Sequence, residues 1–240
     1  MSEKQKVNKR GTLSVIMAVI ALLAGTNVLM YFSSEYVSLV VGPLVASVLL
    51  MVARRAGLSW DDLGMTRRAW RKGALYASII VALVALVYVL GAALPVTRSA
   101  FLDVRYHMGI SSALITALVL IPLGTVLLEE IAFRGVLFGL FRRIHGRWAA
   151  VLSSGVFGVW HILPSLGLTK ANSAVGATLG SGGGPQLVAI MGAVVFTIIA
   201  GLLFCELRRR SGSLLAAAGL HWATNGLGVL VGALLWSWSS

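Results

Sequence analysis

The sequence predicts an all-α integral membrane protein, a polytopic helical bundle of about seven transmembrane helices, and three observations carry that reading. Hydrophobic residues fill 58% of the 240 positions and charged residues only 12%, far from the averages of soluble domains. Long apolar runs recur along the whole chain, of the length a helix needs to cross a hydrocarbon layer of roughly 30 Å. The basic residues gather in short clusters between those runs. The net charge of +12 therefore reads as a set of topology signals facing anionic lipid, and no nucleic-acid partner is expected.

In chain order, the tail carries Lys4, Lys6, Lys9 and Arg10 and leads into an apolar run from about Thr12 to Phe32. That run is longer than a signal-peptide core and lacks a small-x-small cleavage site, so it predicts a first membrane helix. A polar hairpin at Ser33 to Tyr36 precedes a second helix, about Val37 to Ala53. Arg54 to Lys72 is a basic loop with Trp60 and Trp70 as interfacial anchors. The third helix covers about Gly73 to Leu94 and stops at Pro95; Val96 to Gly109 is a loop or surface helix.

A fourth helix begins near Ser111 and continues to Phe141. At 1.5 Å per residue it is longer than the membrane is thick, so it must protrude, tilt or break near Pro122-Leu123-Gly124. Arg142, Arg143 and Arg147 form the next basic loop, and the fifth helix is about Trp148 to Leu166. Leu168 to Pro185, rich in Gly and Ser, reads as a flexible loop. The sixth helix is about Gln186 to Leu207, closed by Arg208, Arg209 and Arg210, and the seventh about Ser213 to Trp236. An eighth span requires a short or re-entrant segment in one of the two longer loops.

Sixteen of the 20 Lys and Arg fall in alternate loops counted from the N-terminus. The positive-inside rule then gives a cytoplasmic N-terminus and an external C-terminus. The single cysteine, Cys205, excludes an internal disulfide and a cysteine-based metal site.

The spans contain few polar residues. Glu129, Glu130 and Arg134 interrupt the fourth helix, His161 the fifth, and His221 and Asn225 the seventh. Measured along each helix, all lie roughly 12 to 20 Å below the cytoplasmic surface. Charges at that depth cost about 2.5 kcal/mol or more each, so three helices converging on one layer point to function. Glu130 and Arg134 are four residues apart and can neutralise one another. Glu129 is rotated by about 100° from Glu130 and is freer to face a cavity. Phe157 and His161 share a face, as do His221 and Asn225, which can offer a ring nitrogen and an amide to one ligand atom.

The pattern Glu129-Glu130-x-x-x-Arg134, Phe157-x-x-x-His161 and His221-x-x-x-Asn225 resembles the three-part signature of CPBP intramembrane proteases, the group of type II CAAX prenyl endopeptidases and bacteriocin-processing or immunity proteins. Context agrees in EEIAFRGVLFG from Glu129 to Gly139. The resemblance covers roughly Thr125 to Gly226. The spans and basic clusters give a cytoplasmic tail at 1–11 and one membrane domain at 12–240, within which the resemblance implies a protease-like core at about 111–236. It also implies a multi-pass protein of the cell membrane whose site opens to the cytoplasm and whose substrate is a membrane-embedded or lipidated peptide.

By position, Glu129 corresponds to the general base of that family, with His161 orienting water and His221 and Asn225 stabilising the oxyanion. Glu130, Arg134 and Phe157 would support them. A zinc-dependent variant, with Glu129, His161 and His221 as ligands, is the alternative; no cofactor is the favoured expectation. Two other classes are a non-catalytic immunity or scaffold protein and a proton-coupled transporter. Against the transporter, the sequence has no internal repeat.

Overall fold

The computed structural model describes residues 9–180 and 182–239, so Lys4 and Lys6 of the expected tail lie outside the described residues. Helix α1 is Lys9–Tyr31, α2 is Ser38–Arg55 and α3 is Arg67–Ala93. Helix α4 runs continuously through residues 110–145, α5 is Ala149–Trp160, α6 is Gly183–Ser211, and α7 covers residues 214–239. Among the described residues there is no strand, only an isolated bridge between Asp103 and Asn172.

Among the described residues six stretches are long and apolar enough to cross a membrane. One of them, Ile110–Trp160, holds both α4 and α5, joined through a single 3-10 turn at Gly146–Trp148. Large side chains such as Leu83, Leu90, Phe196 and Ile199 are exposed along α3 and α6. Facing water this surface would drive aggregation, whereas facing acyl chains it costs nothing.

The bundle is built around α4. Every residue from 128 to 141 is buried, the mark of a helix that is packed on all sides. Of the three options the sequence left open, to protrude, tilt or break near Pro122, the break does not occur. The helix opens instead into wide π turns over Thr116–Val126 and again over Glu130–Leu137. The Leu127 N–H bonds back to the Pro122 carbonyl, five residues away. A wider turn makes room for the proline ring and restores the ladder beyond it. Helix α2 approaches closely because Gly42 has no side chain; a Cβ there would come within 2.8 Å of the Leu123 carbonyl oxygen.

Several boundaries differ from expectation, each for a physical reason. Helix α3 begins at Arg67, six residues before its apolar part, because hydropathy marks what lipid accepts and not where a helix starts. Helix α5 ends at Trp160 and not near Leu166. His161 leaves the helical region (φ −84°, ψ 0°), and Leu163–Ser165 forms a 3-10 turn with Pro164 in it. A residue before proline disfavours the α conformation. At 12 residues, α5 rises only about 18 Å and ends inside a layer of roughly 30 Å. Its last carbonyl is satisfied by Asn27 of α1, whose amide donates to Trp160 O at 2.8 Å.

The segment expected as a flexible glycine-rich loop is folded. Leu168–Ala171 and Ser173–Leu179 are short helices. They are tied to the turn after α3 by Asn172 and Ser173, which donate to the carbonyls of Ala100, Ser99 and Leu102.

Part of the basic clusters is also structural. Arg143 donates to the Ala56 and Gly57 carbonyls, and Arg208 to those of Asp61 and Asp62. Together they pin the loop between α2 and α3, whose Leu58 and Leu63 are buried. Within that loop, burial alone would raise the Asp62 carboxyl. The Ser59 N–H and hydroxyl, with Arg143 and Arg142 beside them, outweigh burial and hold it below its ordinary 3.8.

Candidate active site

Two adjacent glutamates on α4 face different partners. Glu130 Oε1 lies 3.2 Å from Arg134 Nη1, the expected pair one turn apart. The same oxygen also lies 2.8 Å from His221 Nδ1 of α7. The other ring nitrogen, Nε2, is 3.6 Å from Glu129 Oε2. Glu129 Oε1 in turn accepts a 2.9 Å bond from the indole N–H of Trp160 on α5. Arg134, Glu130, His221, Glu129 and Trp160 therefore form one continuous chain of side chains. All five are buried.

Aromatic rings wall this chain. The Arg134 guanidinium lies between Phe157 and Phe204, 3.9 and 4.4 Å from their centroids. Aromatic rings suit a flat, weakly hydrated cation that has left water. Phe204 also stacks on His221, with centroids 5.2 Å apart. Phe157 meets Arg134 with one face and packs edge-on against Phe133, His161 and His221. The ring fixes the orientation of both charged and neutral partners.

The two carboxylates and one guanidinium carry one net negative charge. With Nδ1–H donated to Glu130, His221 Nε2 donates only as the imidazolium and otherwise accepts. Oε2 of each glutamate is buried with no hydrogen-bond partner in the described structure.

The sequence-predicted residues do not all meet. Glu129, Glu130, Arg134, Phe157 and His221 form the cluster itself. His161 joins it through the Phe157 ring, 4.5 Å away, and its Nδ1 engages the Phe157 carbonyl at 2.9 Å. Among the described residues it makes no hydrogen bond to Glu129. Asn225 lies one turn beyond His221 in the π segment Ala223–Leu227, and among the described residues its side chain's one hydrogen bond is a long contact of 3.5 Å from the Thr224 hydroxyl.

Three contributors were missed from sequence. Trp160 read as an anchor or packing residue; it is buried but also donates to Glu129. Phe204 and Asn27 carried no signal, because an apolar ring or a lone amide in an apolar helix reads as ordinary packing. The Trp160–His161 adjacency was the one available hint.

For the zinc alternative, His221 Nδ1 is already engaged by Glu130. Among the described residues no group of three or more His, Cys, Asp or Glu is placed to hold a metal ion.

Beside the cluster, an apolar cavity of about 600 Å³ opens between α3, α4 and α7. Ala77, Leu127, Ile131, Leu215 and Trp222 line it, and Glu130 is its one charged wall. Trp222 is held by a 2.8 Å bond to the Ala117 carbonyl.

A family model for the type II CAAX prenyl endopeptidase Rce1-like group matches residues 110–227, which takes in all of α4, α5 and α6 and the part of α7 that carries His221 and Asn225. No curated protein and no solved structure matched the chain.

Proposed function

Because the chain belongs to the CPBP family, through its Rce1-like domain, we propose that it is an intramembrane endopeptidase in which Glu129 activates the attacking water. The observation that carries this reading is Glu129 itself. One carboxylate oxygen is fixed by the Trp160 indole, while the other is buried, has no hydrogen-bond donor among the described residues and faces His221. A held carboxylate with a spare lone pair is what general-base work requires.

In this mechanism Glu129 takes a proton as the water oxygen bonds to the scissile carbonyl carbon, and the carbonyl electrons move onto oxygen. His161, at the end of α5, orients that water. His221 and Asn225 donate to the oxyanion, His221 as the imidazolium. The C–N bond then breaks, and the departing nitrogen takes the proton from Glu129. Donors preset toward a developing oxyanion contribute most where water is excluded, typically about 100- to 1000-fold in rate per donor. Glu130 and Arg134 hold the His221 ring at its angle. No metal enters any step.

The substrate is a peptide bond in a membrane-embedded or lipidated peptide or protein. The apolar cavity gives its hydrophobic portion a place next to Glu130. The site opens toward the cytoplasm of the cell membrane, the side where the basic residues concentrate.

Membrane peptides from cells carrying wild type and Glu129→Gln provide the test. Peptides released only by the wild type, with new termini in apolar or lipidated segments, are expected. Identical peptide sets would overturn the reading. Stoichiometric zinc in purified protein that tracks activity through chelation and restoration would overturn the metal-free mechanism.

A further inference from the structure

The general base is held by the N-terminal half of the chain. Helix α1 lies wholly outside residues 110–227, yet Asn27 reaches α5 and donates to the Trp160 carbonyl at 2.8 Å. That carbonyl belongs to the last residue of a helix that ends within the membrane, where lipid offers no donor. The same residue turns its indole N–H onto Glu129 Oε1 at 2.9 Å. Its ring is buried and packs edge-on against Phe133, 5.8 Å between centroids. One residue thus receives a bond from α1 on its backbone and gives one to the reactive carboxylate from its side chain.

We propose that Trp160 is a positioning residue for Glu129, and that Asn27 of α1 fixes Trp160 for that task. The inference rests on Glu129 being the base. With Oε1 occupied by the indole, the carboxylate cannot rotate its two oxygens freely, and Oε2 stays directed to His221 and water. Without the indole, either oxygen can swing toward the His221 Nε2, and the productive geometry is visited less often. Asn27 acts one step further out, by holding the frayed end of α5. Its loss displaces Trp160 and the neighbouring His161 together.

The test uses the full chain in proteoliposomes, with an internally quenched farnesylated peptide ending in a CAAX sequence as probe. Trp160→Phe keeps most of the ring and removes the N–H. A kcat about ten- to a hundredfold lower at unchanged KM is expected, the effect of one lost hydrogen bond to a charged group. Asn27→Asp, which loses the amide donor, is expected to lower kcat in the same direction, and Asn27→Gln to restore part of it. The isosteric benzothiophene analogue at 160, which lacks only the N–H, guards against a packing effect and is expected to behave as Trp160→Phe. A Trp160→Phe or analogue protein with wild-type kcat overturns the positioning role while Glu129→Gln remains inactive. A fully active Glu129→Gln overturns the base reading itself, and with it this inference.

Discussion

The imidazole of His221 bridges two neighbouring carboxylates, with Nδ1 2.8 Å from Glu130 and Nε2 3.6 Å from Glu129. Residues adjacent in sequence on α4 are thus separated in role by one ring from α7. Glu130 is not only the counter-ion of Arg134, as its spacing suggested, but also the acceptor that orients the histidine.

That arrangement makes Glu130→Ala more damaging than a missing ion pair. It leaves Arg134 buried without a carboxylate, and breaking a buried pair in this way costs about 3 to 5 kcal/mol. Thermal unfolding in detergent should show the loss. Glu130→Gln, which keeps an acceptor oxygen for His221, should recover part of the stability but not all of it.

Arg134→Lys tests the aromatic clamp. The charge is retained, but an ammonium lacks the planar, weakly hydrated face that the guanidinium offers to Phe157 and Phe204. A destabilisation of about 1 to 2 kcal/mol is expected from the weakened cation–π contacts, measured by the same unfolding experiment. Equal stability of the lysine variant would show that charge alone matters there.

The sequence made the site legible where charge met lipid. Glu129, Glu130, Arg134 and His221 were found because each is costly in a membrane, and all four meet. Phe157 was found through its spacing to His161, and its ring meets Arg134, His161 and His221. What stayed hidden is apolar or distant in the chain. Phe204 looks like any lipid-facing residue, and Asn27 sits 133 positions from the carbonyl it caps. Helix α5 was drawn too long because hydropathy does not register where backbone angles change, only what the side chains tolerate. The arginines of the basic clusters read as topology signals, yet Arg143 and Arg208 hold one loop by its carbonyls.

The pinned loop yields a pH prediction. The Asp62 carboxyl sits below its ordinary 3.8, so its ionised form stabilises the fold above that value. The contribution fades as pH falls through the lower, folded value. Asp62→Asn should therefore lower the unfolding temperature at neutral pH, and the difference from wild type should shrink in acid below 3.8.

Close helix contact gives a further prediction. A Cβ on Gly219 of α7 would stand 2.6 Å from the Ala77 Cβ of α3. Small residues allow membrane helices to approach this closely. Gly219→Val should force the pair apart, costing about 1 to 3 kcal/mol, and change the cavity that these helices line. Unfolding of the purified variant, compared with Gly192→Val on α6, where a Cβ meets nothing within 4 Å, separates this effect from a general intolerance of glycine replacement.

The role of Glu129 is tested most directly by the initial rate at which Glu129→Gln cleaves the farnesylated CAAX peptide in proteoliposomes, with the variant folded and inserted as the wild type is. Removing a general base typically costs about 100- to 10,000-fold, and a loss in that range is predicted. A rate within about twofold of wild type, far inside that range, would contradict the account.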